Sequence, residues 1–70
     1  MRLAYDREAD ALYITLSQVE KGGVKRTWVG EGDNQGVNLD FDAKNRLVGV
    51  EILDASGRVV ADVLRKAEPV

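Results

Sequence analysis

Residues 37–42, VNLDFD, alternate apolar and polar side chains without exception, and three residues later RLVGVEIL at 46–53 repeats the period with Val48, Val50 and Ile52. Side chains of a β-strand point to opposite faces in turn, so a two-residue period marks a strand with one face buried. The linker AKN is short enough for a hairpin, which places residues 36–53 in an antiparallel pair. An isolated hairpin is marginal in water and needs further strands or a helix against its apolar face. This pair therefore sets the fold class, and the rest of the chain must supply its cover.

Upstream, ALYITLS at 11–17 puts Leu12, Ile14 and Leu16 on one face and Tyr13, Thr15 and Ser17 on the other. RLAY at 2–5 has the length of a short partner strand, with DREAD as the connection. EKGG at 20–23 breaks the pattern, and VKRTWV at 24–29 reads as another strand, Val24, Arg26 and Trp28 facing away from Lys25, Thr27 and Val29. The segment GEGDNQG, with three glycines beside Asp33 and Asn34, is a loop.

After residue 54 the period changes. Val59, Val60, Val63 and Leu64 recur at helical spacing, Asp54 or Ser56 offers a cap, Pro69 closes the segment, and Asp62 stands four residues from both Arg58 and Lys66. The reading is a single α+β domain over residues 1–70: an antiparallel β-meander of four or five strands near 2–5, 11–17, 24–29, 36–42 and 46–53, with one C-terminal helix near 56–66.

A chain of 70 residues buries only about 60% of the surface its unfolded form exposes. Small domains commonly compensate with disulfides, a structural metal or association. Here there is no cysteine and no histidine, which removes disulfides, Cys/His zinc sites, thiolate nucleophiles and imidazole chemistry. A homo-oligomer or a small protein partner is the expected route, and no cofactor is implied. The expected sheet face of Leu12, Ile14, Leu16, Val37, Leu39, Phe41, Val48, Val50 and Ile52 is wider than one helix covers, and Tyr13, Leu47 and Leu53 add apolar surface to the other side. Net charge is −2 without a Lys/Arg block, which argues against nucleic acid. The N-terminus lacks a signal-peptide core and no apolar run spans a bilayer, so a cytoplasmic location without membrane contact is expected.

Four constellations bear on function. Asp6, Glu8 and Asp10, joined by Asp40 and Asp42, offer hard oxygen ligands to a divalent cation; against this, aspartates at such positions commonly close turns through backbone N–H groups. Counted from Asp40, DFDAKNRLVGVE matches a calcium loop at Asp42 and Glu51, yet Lys44 stands where a ligand oxygen belongs and Asn45 where glycine does. GEGDNQG lacks the lysine and following helix of a phosphate loop. Asp40 and Glu51 can approach across the hairpin, but a small sheet offers little concavity to dry a catalytic pair, so an enzyme is disfavoured. Trp28, the only tryptophan, with Arg26 on its face and Tyr13 opposite, is a candidate partner interface; core packing accounts for Trp28 equally well.

YDREADALYI near the N-terminus, GVNLDFD and then GVEILDAS together resemble the bacterial family known as domain of unknown function 2283, over Tyr5 to Ser56. The resemblance implies a short single domain of unassigned role, with some members looking like companions of small neighbouring proteins in toxin and antitoxin style pairs. It supplies no catalytic residues. Because the matching pattern includes Ala9 and Ala11 with Asp6, Glu8 and Asp10, it favours a specified turn and strand over a ligand set.

Overall fold

The computed structural model describes residues 1–17 and 23–70. The described residues form strands β1 (Arg2–Asp6), β2 (Ala11–Thr15), β3 (Arg26–Val29), β4 (Val37–Phe41), β5 (Leu47–Leu53) and β6 (Glu68–Pro69), with a 3-10 turn at Ala55–Gly57 and helix α1 at Ala61–Lys66. The strands make one mixed sheet in the order β3-β4-β5-β2-β1-β6. The expected meander of four or five strands needs correction in two ways. Strand β5 lies beside β2, so the chain leaves β2 for the far edge and steps back through β3 and β4. In addition, β6 pairs with β1 in parallel. The turn expected at EKGG lies, apart from Gly23, outside the described residues.

The β1–β2 and β4–β5 hairpins are each closed by an aspartate. Asp6 Oδ1 accepts the N–H groups of Glu8 and Ala9 at 3.0 and 3.2 Å, and Asp10 takes the left-handed region, φ 51°, as the chain enters β2. Asp42 Oδ1 accepts Lys44 N–H and Arg46 N–H, each at 2.9 Å, while Asn45 turns the chain at φ 62°. These short polar side chains replace the backbone bonds a tight turn cannot make.

The C-terminal segment also departs from expectation. Asp54 is left-handed, φ 54°, and Ala55–Gly57 form the 3-10 turn; the α-helix begins only at Ala61, with Val60 preceding it and no side-chain cap. Valines lose rotamer freedom in a helix, and here Val60 stays extended. Asp62 pairs with Arg65 one turn on, not with Arg58. Pro69, placed in β6 at the sheet edge, sits where its missing N–H costs no ladder bond.

Register sorts the side chains into two faces. Leu3, Ile14, Val50, Leu39 and Trp28 lie opposite one another across five strands, and Tyr5, Leu12, Ile52 and Val37 form the adjoining row. The connection from β5 to β6 passes over this apolar face at the β1–β2 end: Ala55 N–H donates to Asp10 O at 2.9 Å, and Leu64, Ala67 and Pro69 line a hollow with Tyr5. Leu12 and Ala55 are wholly buried there. Strand β3, at the far edge, is exposed along its whole length.

Candidate interaction surface

The apolar row that begins at Leu3 ends on Trp28, which remains 41% exposed at the sheet edge. Arg26 stands two residues earlier on the same face. Its guanidinium lies 4.3 Å from the centroid of the Phe41 ring and donates to Asn45 Oδ1 in the β4–β5 turn. A cation over an aromatic face is held by the ring's negative quadrupole, and the stem of the arginine shields apolar surface. Arg26 is thus tied to its own sheet, and Trp28 is left as the large apolar side chain at the border. In the same segment Val24 is 39% exposed, and Val29, on the other face of the strand, is 62% exposed.

The opposite face carries a polar network. Tyr13 donates its hydroxyl to Asp40 Oδ2 at 2.6 Å, Thr27 donates to Asp40 Oδ1 at 2.7 Å, and Asn38 Nδ2 donates to Glu51 Oε1 at 3.0 Å. Tyr13 stands on β2 and Asp40 on β4, with Gly49 of β5 between them. Desolvation, then the bond to Asp40 and the Asp40 and Glu51 charges, pushes the Tyr13 phenol up to about 12. At neutral pH it is a fixed donor that ties three strands together, and both oxygens of Asp40 are occupied.

The acidic side chains singled out in the sequence are distributed, not gathered. Asp6 serves the β1–β2 turn and Glu8 is exposed on it. Asp10 accepts the Tyr5 hydroxyl at 2.6 Å, Ser56 N–H at 3.0 Å and Ser56 Oγ–H at 2.7 Å, which ties the first hairpin to the 3-10 turn. Those bonds, Tyr5 first and then Ser56, hold its carboxyl below the usual range. Asp42 closes the second hairpin and accepts Arg46 Nε at 2.9 Å; the backbone bond from Arg46 is the leading cause that lowers its carboxyl. Among the described residues no three acidic side chains converge on a metal-holding arrangement.

Two participants, Thr27 and Gly49, have no assigned role in the sequence pattern, and a third, Ser56, has a different one there. Thr27 reads as an ordinary strand residue until register puts it beside Asp40. Gly49 did carry a signal, since a glycine between two valines in a strand marks a close approach; a Cβ there would overlap the Tyr13 hydroxyl. The sequence offers Ser56 as a cap; in the fold it bonds an aspartate 46 positions away in the chain.

Comparisons with curated proteins and with solved structures gave no match. The model of the family described as "Protein of unknown function (DUF2283)" matches residues 2–56, which span β1 through β5 and the residues Ala55 and Ser56 that dock on Asp10. The pairing of Asp10 with Ser56 thus lies inside the matched segment, while α1 and β6 lie beyond it, and the chain belongs to the DUF2283 family.

Proposed function

We propose that this chain is a small non-enzymatic protein-interaction module that self-associates through the open end of its sheet around Trp28. One observation carries the reading. Among the described residues only Leu12, Val48 and Ala55 are buried hydrophobics, whereas Trp28, Val29, Leu47 and Leu53 are each more than a third exposed. Burying apolar surface is the main favourable term in folding and association, at about 25 cal/mol per Å². A domain that leaves its tryptophan and flanking valines outside has that term still to gain. Two features support a non-catalytic role: the chain has no cysteine or histidine, and the carboxylates Asp10, Asp40 and Asp42 are occupied by their own sheet and turns.

Light scattering across a dilution series tests this directly. The expected outcome is a dimeric or larger mass that declines toward the monomer on dilution, and that Trp28→Ser shifts toward the monomer without loss of the sheet signal in circular dichroism. A monomeric mass at every concentration would overturn the reading.

A further inference from the structure

Among the described residues β3 is an edge strand of the sheet, and its hydrogen-bond phase is defined. Gly30 N–H donates to Val37 O at 2.9 Å, and Trp28 and Arg26 follow on alternate positions of the same ladder, opposite Leu39 and Phe41. In an antiparallel pair alternate residues bond the neighbour, and those between turn their N–H and C=O away. Thr27 and Val29 therefore present their backbone groups outward. The extended conformation continues to Glu31, φ −128° and ψ 162°. Between Lys25 and Glu31 the outer edge carries no proline; its one inward charge, Arg26, is folded back over Phe41, and Lys25 N–H turns inward to Phe41 O at 2.9 Å, so the outward backbone groups are those of Thr27 and Val29.

Resting on the self-association reading, we infer that β3 of one copy pairs antiparallel with β3 of a second copy about a two-fold axis at Trp28, with Lys25 of each copy opposite Glu31 of the other. Two-fold symmetry and the outward phase leave few registers. Thr27 opposite Thr27 sets Arg26 against Trp28 and Lys25 against Val29. Val29 opposite Val29 sets Trp28 against Gly30 and Thr27 against Glu31. Thr27 opposite Val29 bonds every outward group of both residues in both copies. It also sets Trp28 against Trp28 in the position where facing side chains approach closest. Only in that register do the basic and acidic ends of the edge meet twice, because the sequence runs from Lys25 to Glu31 symmetrically about residue 28. The sheet then continues through both copies, and the exposed Trp28 and Val29 become central.

Charge reversal tests the register. Lys25→Glu and Glu31→Lys each place like charges opposite one another at both ends of the pair, and each is expected to weaken the dimer by roughly tenfold or more. Mixed in equal amounts, the two variants bring opposite charges together again and are expected to form a mixed dimer near wild-type strength. Sedimentation of the separate and mixed samples reads the mass, and emission of the single tryptophan reads its burial. Circular dichroism of each variant alone checks the fold. Single variants that dimerise as the wild type does, or a mixture that stays monomeric, would overturn this register while leaving self-association standing. A wild-type protein that is monomeric throughout would overturn both.

Discussion

Tyr13 reaches Asp40 by lying across Gly49. The phenol crosses from β2 over β5 to β4, and its 2.6 Å hydrogen bond exists because the residue beneath it has no side chain. Gly49→Ala is therefore expected to displace the ring, with overpacking of a strand interior costing about 1–3 kcal/mol. The coupling is measurable in a double-mutant cycle. With Tyr13→Ala already present the ring is gone, so the second substitution should cost clearly less than it does alone. Equal costs in both backgrounds, from urea midpoints at constant slope, would separate the two residues.

The same contact has a signature in alkali. The folded-state phenol of Tyr13 is pushed up to about 12, against about 10 for an unfolded tyrosine. A raised pKa means that the unfolded chain loses this proton first. Its contribution to stability is thus whole below pH ~10 and disappears as pH rises from there through about 12. Tyrosinate absorbance should show a phenol titrating well above the ordinary value, and Tyr13→Phe should remove it. Tyr5, bonded to Asp10, is also shifted upward and remains as the second tyrosine.

Acid should act on Asp10 in the opposite sense. Its carboxyl is depressed by the bonds from Tyr5 and Ser56, so the unfolded state takes up a proton first as pH falls. The stabilisation is present above pH ~4 and is lost below it as the folded carboxyl protonates. Asp10→Asn keeps a residue that tolerates φ 51° but removes the charge that holds the Ser56 turn. The variant is expected to unfold at lower urea than the wild type at pH 7, and to show a smaller loss between pH 5 and pH 3. A variant with the wild-type acid dependence would show that the linkage lies elsewhere, with Asp42 as the next carboxylate to replace.

What was legible in the sequence is what depends on period. The alternation in VNLDFD and RLVGVEIL marks β4 and β5, and the DREAD and DAKN turns follow from aspartate chemistry that acts within a few residues. Strand β6 is only Glu68–Pro69 and shows no period, and its parallel place beside β1 comes from the connection that carries it there. The helix starts later than the spacing predicts, because Val59 and Val60 match helical spacing while their branched side chains favour extended backbone. The acidic positions were visible, but their partners were not. Tyr13 with Asp40, and Asp10 with Ser56, are separated by 27 and 46 residues and meet only through sheet register and the fold-over at residue 55.

The β4–β5 turn gives a last test, one that separates backbone conformation from side-chain bonding. Asn45 sits at φ 62°, where a β-branched side chain clashes with its own backbone, and its Oδ1 also accepts from Arg26. Asn45→Val is expected to cost about 1–2 kcal/mol through the left-handed conformation alone. Asn45→Gly loses the same exposed bond from Arg26 but fits the backbone, so its change should stay within about 1 kcal/mol. If the Arg26 contact were what holds this turn, both variants would fall by the same amount. If backbone conformation holds it, valine alone should lower the urea midpoint markedly, and Arg26→Gln should leave the turn intact.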